Sequence, residues 1–489
     1  MNTILLGVLL AFQSQQAQPP ALDVIERSFS AMGGMKKLSS LRSVESKIVG
    51  HVYALEQSER PEGPWFVTYV DGVENLDFET ASVRFKSRSS GVMFPQSQDF
   101  TVEYGFADPH KPTRKGGSFG FSAQDARRQL ALCPERVLFT ALASRDLALE
   151  APTMFHEVKH DVLKFHWGNL PVTLLINHQT HLPSAVESLE PGDGYWSIWG
   201  DVRYRTVWGN WDIASKGILL PSLWDYERNG IRQEEYWQSN WKLGWGEPLT
   251  SQAVSNQLSG AIPSVGGAKR PIPFRVVEVA PGVVQYLSSF NCAAIEQEDG
   301  VVLLEAVVSG EYVQAILNDV HKRFPGKPIK AVISSDDAWP HIGGLRQIVS
   351  LGIPIYSVRP NREILNRLFK APSKLIPDEL EKHPRSAHIV YVDKKCVLGK
   401  GKNTLEIYPM LGSVCERMLY GYLPHSKLLY APDVIQHLGD QWFNVNLIGE
   451  LVRAVDRDGI APESAFAFHS EPIAYSNLKE VLAKERAKE

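Results

Sequence analysis

Ser335-Asp336-Asp337-Ala338-Trp339-Pro340-His341-Ile342-Gly343-Gly344 decides how this chain is read. A β-type run, Ile329-Lys-Ala-Val-Ile-Ser334, leads into it, and a helix-type run, Leu345-Arg-Gln-Ile-Val-Ser-Leu351, leads out. Two adjacent carboxylates and one imidazole stand just before a Gly-Gly pair. Glycine lets a backbone turn tightly enough for several side chains to converge. The stretch has the frame of a metal-binding loop, but few of its positions carry metal donors.

The surrounding half alternates strand and helix. Val283–Leu287, Cys292–Glu296, Val301–Glu305 and Ile353–Ser357 read as strands, and Glu298-Asp-Gly300 as a hairpin turn. Tyr312–Phe324 has helical apolar spacing and stops at Pro325-Gly326, and Arg362–Phe369 reads as another helix. Such alternation predicts a layered α/β domain.

This order, ending in His-x-Gly-Gly before a helix, resembles the metallo-β-lactamase superfamily from about Val276 to Leu482. The resemblance implies an αββα sandwich and a loop of the form T-H-x-H-x-D-H-x-G-G, whose histidines bind zinc. Aligned on His341, the family's first histidine falls on Asp336, its second on Ala338 and its aspartate on Pro340. Downstream, Glu416–Asp433 matches the run from the third ligand to the bridging aspartate. Ser413 or Val414 stands at the third histidine, Asp433 at the bridging aspartate and His469 at the last histidine. The resemblance therefore implies one metal at most. His341, Asp433 and His469 would be its ligands and Asp336 an auxiliary one, with Zn the expected ion and Fe or Mn alternatives. Asp337 and Asp336 are the candidate catalytic carboxylates, while Trp339 and Arg417 are the candidate substrate contacts. Plainer roles exist for each. Asp336 and Asp337 can cap the following helix, Asp433 can cap a turn, and Arg417 can pair with Asp336 in a site that needs no metal.

The first half is β-rich. After a helical run, Leu22–Met32, closed by Gly33-Gly34, come strand-like segments at Ser43–Val49, Trp65–Val70, Ala81–Lys86 and Val172–Asn177, with a helical interlude from Ala123 to Ala143. Eight of the twelve tryptophans fall between Trp196 and Trp245, among short β-like pieces. They can be the core of a wide sheet or the lining of a groove for an apolar or glycan-like ligand. A helix followed by many strands loosely resembles the half-barrel of periplasmic lipoprotein carriers. The expected organisation is a β-rich domain over 21–245, a Pro/Gly/Ser-rich linker over 246–272 and the metallo-β-lactamase-like domain over 273–489.

The chain has 489 residues, which suggests two or three domains, and a net charge of −4 without a Lys/Arg block, which argues against nucleic acid as a partner. No internal run is long and apolar enough to span a bilayer. Ile4–Phe12, followed by polar residues and Pro19-Pro20, resembles a secretory signal over 1–17, so export to the periplasm or the exterior is expected. Four cysteines without a CxxC pair exclude a disulfide scaffold and a zinc finger. No Gly-x-Ser-x-Gly elbow is present to support a serine hydrolase.

Two functions stay open on these grounds. One is a mononuclear metal-dependent hydrolase of ester, lactone or amide bonds acting on a small-molecule substrate. The other is a non-catalytic exported binding protein, a pseudoenzyme holding an apolar ligand.

Overall fold

The computed structural model describes residues 19–55, 63, 65–91, 97–108, 111–117, 121–192, 198–258, 273–439 and 441–487. The expected signal segment, residues 1–17, lies outside them, as does Trp196. The chain is a mixed α/β protein with large antiparallel sheets. It divides into two compact units. One takes Met1–Tyr53, Val67–Glu190 and Arg203–Gly267, and the other Ala54–Phe66, Pro191–Val202 and Ala268–Glu489.

The first unit is built on one twelve-stranded sheet. Its first five strands run outward from Leu41–Tyr53, and the last seven return so that Ile231–Trp245 pairs antiparallel with Leu41–Tyr53. The single helical run expected over Ala123–Ala143 is two helices, Ala123–Ala131 and Pro134–Ala143. Pro134 cannot donate a backbone N–H, so it starts the second helix rather than continuing the first. Trp208 and Trp224 face each other across paired strands and are buried, with ring centroids 6.0 Å apart at 82°. Trp237, next to buried Tyr236 in the chain, is 48 % exposed, as the alternation of a strand requires. The tryptophan cluster thus serves both faces of the sheet. The stretch read as a connector contains a helix, Ser251–Gln257, capped by Thr250, and its residues 259–272 lie outside the described ones.

The second unit has two sheets. Seven strands lie in the order of their sequence from Arg275–Ala280 to Ile389–Tyr391. The first four pair antiparallel, and Gly300–Leu304, Ile329–Ile333, Ile355–Ser357 and Ile389–Tyr391 continue in parallel. Six strands form the other sheet, in which Ser464–Ala474 runs parallel to Leu428–Leu438. One apolar layer joins the sheets: Ile295, Val302, Leu304 and Ile333 from the first, with Leu405, Leu419, Leu428 and Phe466 from the second. Helix Val445–Arg457 covers the outer face of the second sheet through Ile448, Leu451 and Val455. The strongly apolar strands Val301–Leu304 and Val332–Ile333 follow from burial on both faces.

Candidate metal centre

Two strand ends of the seven-stranded sheet set up the site. Ile329–Ile333 runs out into Ser334–Ala338, and a single helical turn, Trp339–Ile342, precedes helix Leu345–Ser350. The neighbouring strand, Gly300–Leu304, ends in Glu305. Gly343 and Gly344 are required because a Cβ would lie 2.3 Å from the Val308 carbonyl oxygen at the first and 2.3 Å from Val313 Cγ2 at the second. Their close approach is fixed by bonds from Gly344 N to Ala306 O at 2.8 Å and from Val308 N to Pro340 O at 2.9 Å. The segment they meet is itself strained, with Glu305 at φ 77° and Val308 at φ 64°, in the left-handed region that side chains disfavour.

Asp336, His341 and Asp433 converge, and one ligand atom from each lies within 4.8 Å of the others. Asp336 divides its work. Oδ1 accepts from the backbone N–H groups of Asp337 at 2.6 Å and Ala338 at 3.1 Å in a local side-chain turn, whereas the helical turn Trp339–Ile342 has Ala338 at its N-cap and no side-chain cap bond. Oδ2 is buried with no hydrogen-bond partner among the described residues. Burial raises the Asp336 pKa; nearby His341 opposes the shift and Asp433 adds to it. Asp433 comes from the strand Leu428–Leu438, and its Oδ1 lies 2.9 Å from His469 Nε2. Burial works against the Asp433 carboxylate, but His469 and His341 outweigh it and hold its pKa below the usual value.

His341 is fully buried, stacked on Phe468 with ring centroids 3.6 Å apart at 19°. Its Nδ1 faces Glu305 Oε1 at 3.3 Å, which leaves Nε2 as the nitrogen without a carboxylate partner. Burial lowers the His341 pKa, yet the carboxylates of Glu305, Asp336 and Asp433 overcome it and push it up to about 9. Glu305 Oε1 also accepts from Tyr430 OH at 2.8 Å and from the Ser335 hydroxyl. This hub of Glu305, Tyr430 and Ser335 escaped the sequence reading. The available signal was a lone acid closing the apolar strand Val301–Leu304.

Asp337 and Arg417 form their own pair. Arg417 Nη1 is 3.7 Å from Asp337 Oδ2 and donates to Pro360 O at 2.8 Å. The pairing of Arg417 with Asp336, drawn from the sequence, is thus met by Asp337, because Asp336 turns toward His341 and Asp433. Trp339 is 7 % exposed and packs edge-on against Phe290 at 5.5 Å, and Phe290 also meets His469 at 5.6 Å. His437 lies apart, bonded to Ser470 Oγ and Gly439 O. At Ser413 and Val414, where the resemblance expects a histidine, backbone N–H groups bind the carboxylate of Glu450 instead.

The donors suit a cation. Buried carboxylates outnumber the buried cations beside them, and Asp336 Oδ2 is an unpartnered charge-bearing oxygen whose burial is costly without one. Carboxylate oxygen with imidazole nitrogen and no thiolate fits Zn²⁺, Fe²⁺ or Mn²⁺.

No family model matches the chain. A linear primary-alkylsulfatase from Pseudomonas sp is 25% identical over 154 residues, which is 29% of this chain and 20% of that protein. The chain therefore spans about a fifth of that relative's length. Among solved structures, the sec-alkylsulfatase Pisa1 from Pseudomonas sp. is 20% identical, covering 48% of this chain and 42% of its own, with a TM-score of 0.34. The metallo-β-lactamase DIM-1 is 12% identical, covering 45% of this chain and 100% of its own, with a TM-score of 0.36. A metallo-β-lactamase from Pontibacter korlensis is 14% identical, covering 43% and 98%, with a TM-score of 0.34. By the order of its elements and the places of Asp336, His341, Asp433 and His469, the C-terminal half of the chain resembles the metallo-β-lactamase superfamily, with a zinc motif degenerate at Ala338, Pro340 and Ser413–Val414.

Proposed function

We propose that the second unit is a hydrolase-like centre built for one divalent metal ion, in an exported protein of two domains. The observation that carries the reading is the buried, unpartnered Asp336 Oδ2 within reach of His341 and Asp433. Asp336, His341 and Asp433 would hold the ion, with His469 beside Asp433 as the next donor. Such an ion, when bound, supplies Lewis-acid polarisation of an ester, lactone or amide and a more acidic water. The alkylsulfatase relative adds sulfate esters to the bonds worth testing. Glu305 orients His341 and fixes its tautomer, the arrangement by which an outer carboxylate tunes a metal-binding imidazole. Phe468, Phe290 and Trp339 wall off water on one side. Arg417, held beside Asp337, offers a cation to an anionic part of the substrate.

A second reading has its own support. His341 with Glu305, Asp433 with His469, and Arg417 with Asp337 close the charges on one another, as a site without metal needs. The protein would then be a pseudoenzyme, with its ligand an apolar molecule on the tryptophan-rich sheet.

Elemental analysis of protein purified without chelators separates the two. The hydrolase reading expects about one Zn, Fe or Mn per chain, lost in the Asp433→Ala plus His469→Ala double variant, and metal-dependent cleavage of a nitrophenyl ester, a lactone or a nitrophenyl sulfate. Trace metal that the double variant leaves unchanged would overturn it.

A further inference from the structure

Glu450 is an acid on an otherwise apolar face of helix Val445–Arg457, and it is 6 % exposed. Its carboxylate is bound by one short loop. Oε1 accepts from Ser413 Oγ at 2.6 Å, Ser413 N at 3.1 Å and Val414 N at 3.2 Å, and Oε2 accepts from Val414 N at 3.2 Å and Cys415 N at 3.0 Å. Three consecutive backbone N–H groups aimed at one carboxylate form an anion nest with a built-in anion. Gly412 leaves the room for it, since a Cβ there would lie 1.8 Å from Glu450 Oε2.

The loop continues directly into the candidate site. The Arg417 carbonyl accepts from Asn361 Nδ2 at 3.0 Å, and Leu419 N donates to Ser335 O at 2.8 Å. Asn361 is itself fully buried. The backbone from 412 to 419 is therefore clamped at its start by Glu450 and at its end by Asn361 and Ser335. Between the clamps, the Arg417 guanidinium is delivered to Asp337. The bonds of the Glu450 carboxylate go to residues 413–415, so its hold on the site runs along this loop.

We propose that Glu450 is a positioning residue that sets Arg417 against Asp337 by holding the amides of residues 413–415. The inference rests on the reading of the second unit as a hydrolase-like centre only for the use to which Arg417 is put. The carboxylate does here for the loop what a metal ligand at 413 or 414 would do in the superfamily the unit resembles: it fixes the backbone from inside the fold.

The test labels arginines of the full-length protein with phenylglyoxal and follows the Arg417 and Arg346 peptides by mass spectrometry. Arg346, buried and bonded to Asp378, reports on the rest of the unit. The expected result is slow Arg417 labelling in the wild type, intermediate labelling in Glu450→Gln, and labelling at least about tenfold faster in Glu450→Ala and in Gly412→Ala, which displaces the carboxylate without removing it, while Arg346 is unchanged. If Glu450→Ala does not fold, Glu450→Gln and Gly412→Ala carry the test. Arg417 labelling that stays at the wild-type rate in folded Glu450→Gln and Gly412→Ala, or that rises only together with Arg346, overturns the proposal. Metal content measured on the same preparations keeps the two ideas apart. A metal-free wild type sinks the hydrolase reading and leaves the labelling result standing, whereas full metal with unchanged labelling sinks only the role of Glu450.

Discussion

The Nδ1 atom of His341 and the Oε1 atom of Glu305 stand 3.3 Å apart, with both side chains fully sealed from solvent. A buried pair of this kind is expensive to break from one side, because the surviving charge stays in the interior. Glu305→Gln keeps the shape and removes the charge. It is expected to lower stability by about 3 kcal/mol in urea unfolding of the metal-free protein. The same variant should weaken metal binding by roughly ten- to a hundredfold in competition with a chromophoric chelator, since the His341 ring loses its orienting carboxylate.

A centre that binds metal only when folded should stabilise the fold by mass action. Adding the bound metal at about a hundred times its dissociation constant should stabilise the protein by about 2.7 kcal/mol, read as a rise in the thermal midpoint. In the Asp433→Ala plus His469→Ala double variant the midpoint should not move with metal. A rise of equal size in both proteins would mean that the ion binds elsewhere.

Glu74, 5 % exposed in the first unit, accepts from Gln238 Nε2 at 3.1 Å. Burial, with Glu135 and Glu234 adding to it, raises its pKa from 4.5 to about 7. A carboxyl whose folded pKa is raised keeps its proton when folded and gives it up when unfolded. Its contribution is therefore complete below pH 4.5 and is lost as the pH rises to about 7. The loss is on the order of 3 kcal/mol. Glu74→Gln should remove that share of the slope, so that the variant gains on the wild type as pH increases. Denaturant midpoints at pH 5, 6, 7 and 8 are the measurement, and parallel curves for the two proteins would refute the assignment.

Trp339 is packed rather than open, so its truncation should be felt as a cavity. Trp339→Ala is expected to cost about 3–5 kcal/mol, and Trp339→Phe, which retains a ring against Phe290, much less. Equal small losses in both would place the side chain at an open mouth.

Most elements of the second unit between Val283 and Lys370 were legible because their signals are local, whereas the short strands and helices that follow Lys370 were not singled out. The helix Gly310–Arg323 begins at the Ser309 cap, and Leu345–Ser350 and the strand Ile329–Ile333 lie where apolar spacing puts them. His341, Asp433 and Asp336 were legible as a group through one motif and its downstream partners. Glu305 and Glu450 were not. Each is a single acid in an apolar stretch, and what gives it a role is contact with residues 30 to 125 positions away in the one case and 35 to 37 in the other. The choice of Asp337 over Asp336 as the partner of Arg417 was equally out of reach, since it depends on which way two adjacent carboxylates turn at the end of a strand.

The anchoring of residues 413–415 by Glu450 bears on any attempt to engineer this chain toward two-metal chemistry. A histidine grafted at Ala338 and an aspartate at Pro340 would add donors on the Ser335–Gly344 loop only. The loop at 412–415 has its amides committed to an internal carboxylate and no room at Gly412 for a side chain while that carboxylate stays. A histidine introduced at Ser413 would remove the hydroxyl that Glu450 accepts from and leave the backbone bonds in place, so any such design has to be judged together with a helix that carries none of the three residues converging on the candidate centre.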